Sequence, residues 1–190
     1  LEKYDEWKDD KMMVYDVMRF LDNVLSDFIN RAPDQFADAK YSAEKERSVG
    51  LGVMGFHSYL QKHNIPLESV MSKVWNKKIF KHIQEQVDKS SKDLAEERGA
   101  CPDAADYGFN ERFSNKTAIA PTASISIICG GASPGVEPVA ANSYTHKTLS
   151  GSYNVRNRYL VELLEKLGKN TEEIWSGITT NQGSVSHLDF

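Results

Sequence analysis

Ala120-Pro121-Thr122-Ala123-Ser124-Ile125-Ser126 places three hydroxyl side chains within five positions, directly after a proline. Proline cannot continue a strand ladder, so a strand arriving at Ala120 stops there. Small residues then open a helix. The first turn of a helix carries backbone N–H groups that lack intrahelical acceptors, at the positive end of the helix dipole. Such a turn can cradle a phosphate or carboxylate without a lysine. Hydrogen bonds to a charged group contribute roughly 1.5–3 kcal/mol each, so several N–H donors could hold one. The hydroxyls of Thr122, Ser124 and Ser126 would add to them. The same residues also fit a plain N-cap in which Thr122 or Ser124 serves its own helix. Spacing alone leaves both readings open.

Other residues with chemical potential carry weaker patterns. Gly50-Leu51-Gly52-Val53-Met54-Gly55 fits G-x-G-x-x-G, but a dinucleotide fingerprint needs a buried strand before it. The preceding Ala43-Glu44-Lys45-Glu46-Arg47 is charged and helical in pattern. The glycines therefore read as small residues in a helix that lets another backbone come close. His57, His63, His82, His146 and His187 form no tight metal-ligand pair with Cys or a carboxylate. No metal site is expected. Cys101 and Cys129 are the chain's two cysteines, too few for a disulfide scaffold or a Cys-rich zinc site. Cys129, between isoleucines and glycines, reads as a small buried thiol. Met12, Met13 and Met18 read as helix packing in preference to a binding surface.

The elements that would position these residues follow from periodicity. Helices are predicted over 5–30, 42–63, 67–98 and 157–167, with a short one opening at Thr171-Glu172-Glu173. The first would bury Val14, Val17, Leu21, Val24 or Leu25, and Phe28. The third would bury Ile79, Ile83, Val87 and Leu94, with Gly99 as a left-handed cap and Pro102 preventing resumption. Residues 117–120 read as a short strand, 124–129 as the start of a helix broken by Gly130-Gly131, and 145–155 as loop or strand. Residues 183–190 resemble a capped helix beginning. Between Phe113 and Val155 the formal charges are Lys116, Glu137 and Lys147. A run so poor in charge is either buried or faces something bound.

With 190 residues, 40% hydrophobic and 26% charged, the composition is that of a globular chain. The net charge of -4 gives no pull toward nucleic acid or anionic membrane. No apolar run approaches the roughly 20 residues of a membrane-spanning helix. The length and the non-Met start suggest an excerpt: one partial domain, helical over 1–112, a loop region over 113–156, and helical again over 157–190.

The stretch APTASISIICGGASPGVEP, from Ala120 to Pro138, resembles the large, catalytic subunit of ribonucleotide reductase, including the tetrad Gly135-Val136-Glu137-Pro138. The resemblance extends to Arg47-Ser48-Val49-Gly50-Leu51-Gly52-Val53-Met54-Gly55-Phe56, to Glu97-Arg98-Gly99-Ala100-Cys101-Pro102, to Tyr144-Thr145-His146-Lys147-Thr148 and to Gly183-Ser184-Val185-Ser186-His187-Leu188, in order along the chain. It implies part of a ten-stranded α/β barrel, from its second half, although this stretch would itself be mainly α-helical with one or a few short strands. It also implies an oxidoreductase that reduces ribonucleotides to deoxyribonucleotides by thiyl-radical chemistry, in the cytoplasm. Thr122, Ala123, Ser124, Ile125 and Ser126 would bind the substrate phosphates. The family's radical and redox cysteines, its N-x-C-x-E run and its tyrosine pair have no match here, so no catalytic residue is expected in this chain and no activity alone. No cofactor would be bound by it. The intact enzyme would draw its radical from a metal-containing small subunit or from adenosylcobalamin. Expected partners are the ribonucleotide, the remainder of the large subunit, the radical-generating subunit and a second copy. The competing reading is a stand-alone helical interaction domain with no catalysis, whose glycine-rich loop is a buried turn.

Overall fold

The computed structural model describes residues 1–149 and 151–190. Its helices are α1 (Tyr4–Trp7), α2 (Met13–Arg31), α3 (Ala37–Glu46), α4 (Phe56–Lys62), α5 (Val70–Arg98), α6 (Pro102–Asp106), α7 (Ala123–Ile128), α8 (Arg158–Lys166) and α9 (Glu172–Thr180). Strands β1 (Ser143–Thr148) and β2 (Gly151–Arg156) form an antiparallel hairpin, Ser143 opposite Arg156. The stretch 145–155 is thus strand on both sides of its turn, with Ser150 outside the described residues.

The long helix α5 forms as its periodicity predicts. Ser69 caps it, accepting from the Ser72 N–H at 3.1 Å, and Ile79, Ile83, Val87 and Leu94 are all buried. It packs on α2 and, with Phe56, Tyr59, Leu60 and Phe113, encloses the main core. The predicted cap Gly99 takes φ 88°, but its ψ of 151° is not left-handed helical. Pro102 does not block helix. It occupies the first turn of α6, where its missing N–H costs nothing. Asn157 and Thr171 cap α8 and α9, and Leu164, Trp175 and Ile178 make a second, smaller core.

Four predicted elements are reorganised. The helix expected over 5–30 is two, because Asp10 Oδ1 accepts the Met12 N–H at 2.9 Å and so competes with helical bonding. The buried face of α2 is also turned by about one residue: Val14, Met18, Asp22 and Ile29 are buried, whereas Val24 and Phe28 are exposed.

The helix expected over 42–63 is interrupted. Ser42, the first residue of that range, lies inside α3 and donates to Glu46. That helix ends at Arg47, a left-handed residue (φ 44°), and the chain runs without helix to Gly55. The strand expected over 117–120 is reduced to one parallel bridge, Leu51 to Thr117. The Ala118 N–H donates to the Leu51 carbonyl at 3.1 Å, and the Leu51 N–H to the Lys116 carbonyl at 3.0 Å. Residues 183–190 form turns in place of the expected helix. Gly183 is tied there because a Cβ would lie 2.4 Å from that of Ala141.

One buried cluster fixes these parts. Asp22 has no exposed surface and receives Arg47 Nη2 at 2.6 Å, Arg98 Nη1 at 2.7 Å and Arg112 Nε at 2.9 Å. Arg112 Nη1 also donates to the carbonyls of Arg98 and Gly99. One carboxylate thus joins α2, the end of α3, the end of α5 and the segment that leads to Thr117.

Candidate functional site

The loop is delivered by the bridge between the 48–53 segment and Thr117. Gly50 and Gly52 make that approach possible. A Cβ on Gly50 would lie 2.9 Å from Ala118 Cβ, and one on Gly52 only 2.7 Å from the Ala118 carbonyl oxygen. The glycines do allow a close backbone approach, as expected, but from an extended segment rather than a helix. A helix, not a strand, precedes them.

Past Pro121 the chain turns sharply. Thr122 has φ 52°, a left-handed conformation that costs a non-glycine residue roughly 1–2 kcal/mol. Its Oγ1 accepts the Gly135 N–H at 2.7 Å. Gly135 in turn fits because a Cβ there would sit 3.0 Å from the Ala120 carbonyl oxygen. The two ends of the APTASISIICGGASPGVEP stretch are therefore one structure: the tetrad's glycine braces the proline turn from behind.

α7 begins at Ala123. The Ser126 N–H makes the first helical bond, to the Thr122 carbonyl at 2.9 Å, and Ser126 Oγ donates to the Ala123 carbonyl at 3.2 Å. Ser126, expected to face a phosphate, is buried and spends both donors inside the loop. The N–H groups of Ala123, Ser124 and Ile125 make no hydrogen bond among the described residues. Thr122 uses its hydroxyl oxygen as an acceptor and keeps its proton to donate. Its hydroxyl does not cap α7, against the plain N-cap reading for this residue.

The rest of the loop is stapled to α4. The Ser133 N–H donates to Ser58 Oγ at 2.8 Å, and the Ser58 N–H returns to Ser133 Oγ at 3.1 Å. The Gly55 N–H donates to the Ser133 carbonyl. His57 Nδ1 accepts the Val139 N–H at 3.3 Å, and burial pushes the imidazole pKa down, so it sits there as a neutral acceptor. Arg158 reaches the Gly130 carbonyl at 2.9 Å and also pairs with Glu2. None of these partners is close in sequence, and no local pattern announces them.

One expectation changes, and one is narrowed to the second of its two alternatives. Cys129 is exposed and Cys101 is buried, the reverse of the reading for Cys129, because α7 ends at Ile128 and the next two glycines turn the chain outward. Ile119, Ile125, Ile127 and Ile128 are exposed as well, so the charge-poor run shows an apolar surface instead of burying it. No group of three or more His, Cys, Asp or Glu among the described residues is arranged to hold a metal ion. No helix among them is long and apolar enough to cross a membrane.

Comparison with known proteins assigns the class. The chain matches the family model "Ribonucleotide reductase, barrel domain" over residues 2–111 and 103–190. It is 47% identical over 190 residues to the ribonucleoside-diphosphate reductase large subunit of Invertebrate iridescent virus 6, covering 99% of this chain and 20% of that protein. It is 35% identical over 167 residues to a vitamin B12-dependent ribonucleoside-diphosphate reductase of Thermoplasma acidophilum, covering 85% of this chain and 21% of that protein. Among solved structures, the Actinobacillus ureae class Id ribonucleotide reductase alpha subunit superposes with a TM-score of 0.89 at 39% identity, over all of this chain and 34% of that one. The chain belongs to the ribonucleotide reductase barrel-domain family. It spans 20% to 34% of the length of these relatives.

Proposed function

We propose that this chain is the phosphate-holding part of a ribonucleotide reductase large subunit, which reduces ribonucleotides to deoxyribonucleotides. The observation that carries the reading is the braced loop. Three N–H groups, on Ala123, Ser124 and Ile125, that have no acceptor among the described residues share one helix start with the Thr122 and Ser124 hydroxyls. Ser126 holds the turn closed behind them. The strain at Thr122 belongs where a ligand site needs a fixed shape. The viral and the Thermoplasma acidophilum relatives are named ribonucleoside-diphosphate reductases, which favours a diphosphate substrate. The phosphates anchored here would set the ribose against a reactive group supplied by another part of the polypeptide, a gain from proximity.

In this reading the radical is supplied to the substrate from outside this chain. Relatives of this chain include a vitamin B12-dependent reductase and proteins named as large subunits, so a cobalamin cofactor and a partner subunit both fit the family. The exposed isoleucines around the loop suit contact with the rest of the barrel and with the substrate. Reduction in the cytoplasm, the remainder of the large subunit as partner, and a homodimer belong to the same reading. The stand-alone interaction domain has no structural observation in its favour beyond the helices themselves.

Ser124→Glu in the full polypeptide places a carboxylate where the phosphate would bind. Loss of one or more charged hydrogen bonds worth about 1.5–3 kcal/mol predicts a rise in substrate KM of about 10- to 100-fold. Steady-state kinetics with a ribonucleoside diphosphate reads it, and an unchanged KM contradicts the assignment.

A further inference from the structure

Away from the loop, four oxidisable rings stand in a row where α1 meets α4 and α5. Trp7 and Tyr4 have ring centroids 5.1 Å apart, Tyr4 and Tyr59 5.9 Å, and Tyr59 and Trp75 5.5 Å, all edge to face. The two phenols are buried, and the two indoles at the ends are partly exposed. Burial pushes the pKa of both phenols up, so they stay protonated at neutral pH. A phenol that stays protonated is easily oxidised only if its proton has somewhere to go. Tyr4 has such a place: its hydroxyl is 3.0 Å from His82 Nδ1, and Trp7 stacks on the same imidazole. At the far end, Lys78 Nζ lies 4.5 Å from the Trp75 ring centre. A cation there disfavours a positively charged indole and pushes an electron vacancy away from Trp75, toward the phenols.

We propose that Trp7, Tyr4, Tyr59 and Trp75 conduct a one-electron oxidising equivalent across this helical layer, with Tyr4 as its resting place. A one-electron oxidant from solution takes an electron from an exposed indole, which releases its N–H proton to water, and the oxidant is reduced by one electron. The indolyl radical then takes an electron from a phenol and regains a proton from water; where that phenol is Tyr59, its proton passes to the Asp5 carboxylate beside its hydroxyl and returns when Tyr4 refills the vacancy. When the vacancy reaches Tyr4, the phenolic proton moves to His82 Nδ1 and from the imidazolium to solvent. One electron and one proton thus leave the protein in total. A reductant at either surface, such as a thiol, returns both. The chain is independent of the phosphate loop and stands whether or not that assignment does.

Pulse radiolysis with the azide radical as oxidant tests it in the purified protein. The indolyl absorption should decay as phenoxyl absorption grows, in one first-order phase whose rate does not change with protein concentration. The double variant Tyr4→Phe, Tyr59→Phe keeps the rings and should lose that phase, while Tyr107→Phe, on an exposed tyrosine outside the row, should keep it. His82→Gln removes the strong proton acceptor but neither phenol. It should slow phenoxyl growth and leave the initial indolyl yield unchanged. Retention of the phase in the folded double variant, or an unaltered rate in His82→Gln, overturns the proposal.

Discussion

Asp22→Ala should destabilise the protein by about 3–5 kcal/mol, the largest single effect expected in the chain. The carboxylate is wholly buried and is the shared acceptor for Arg47, Arg98 and Arg112. Removing it leaves three guanidiniums close together. The carbonyls of Asp22, Arg98 and Gly99 and the side chains of Ser26 and Asn23 satisfy some of their donors without balancing charge, and Glu97, partly exposed and 3.4 Å from Arg98 Nε, offsets that one arginine alone. Against a usual total stability of about 5–15 kcal/mol, the loss is a large fraction. Denaturant unfolding of wild type and variant measures it, and a difference under about 1 kcal/mol would contradict the role given to this carboxylate.

The pH dependence follows from the same geometry. Burial alone would raise the Asp22 pKa, but hydrogen bonds from Arg112, Arg98 and Arg47 outweigh it and hold it below the ordinary 3.8. A carboxyl depressed in the folded state stabilises the fold fully above its unfolded pKa, and that contribution fades as pH falls through the folded value. The gap between wild type and Asp22→Ala should therefore be constant near neutrality and narrow in acid, below the ordinary carboxylate range.

Gly52→Val should uncouple the loop from its support. The added Cβ meets the Ala118 carbonyl oxygen at 2.7 Å, and a backbone atom in a paired segment cannot swing aside as a flexible side chain would. Either the bridge between Leu51 and Thr117 opens or the segment leading to Pro121 shifts. Overpacking of this kind costs about 1–3 kcal/mol of stability. The functional loss should be larger, because a shift near 1 Å in positioning groups can cost about 10²-fold in rate. In the full polypeptide, kcat/KM for a ribonucleoside diphosphate should fall by about that factor while most of the fold survives. Near-normal kcat/KM in Gly52→Val would show that this contact does not position the site.

The sequence makes some of this legible and hides the rest for physical reasons. Helices α5, α8 and α9 are readable because their periodicity and end residues are local and agree with the buried face. The loop from Pro121 to Ser126 is readable because a proline followed by small hydroxyl residues constrains the backbone by itself. What joins distant segments is not readable. Asp22 lies 25, 76 and 90 positions from its three arginines, and on α2 it looks like one more surface charge. One sign was present: Asp22 continues the four-residue register of Val14 and Met18, on the face that the structure buries. Gly50 and Gly52 announced a close approach correctly but not its partner, because helical spacing in 43–60 masks the left-handed break at Arg47. The bracing of Thr122 by Gly135 was equally hidden, since neither motif names the other.

The central claim is that the N–H groups at the start of α7 hold the substrate's phosphates. Those of Ala123, Ser124 and Ile125 lack acceptors among the described residues, so they should exchange with solvent quickly. Hydrogen exchange of the full polypeptide, read by mass spectrometry on peptides covering 120–128, follows them directly. A saturating ribonucleoside diphosphate should slow exchange in that segment, and the matching ribonucleoside without phosphate should leave it unchanged. Equal protection by both ligands, or protection elsewhere with none over 120–128, would contradict the account.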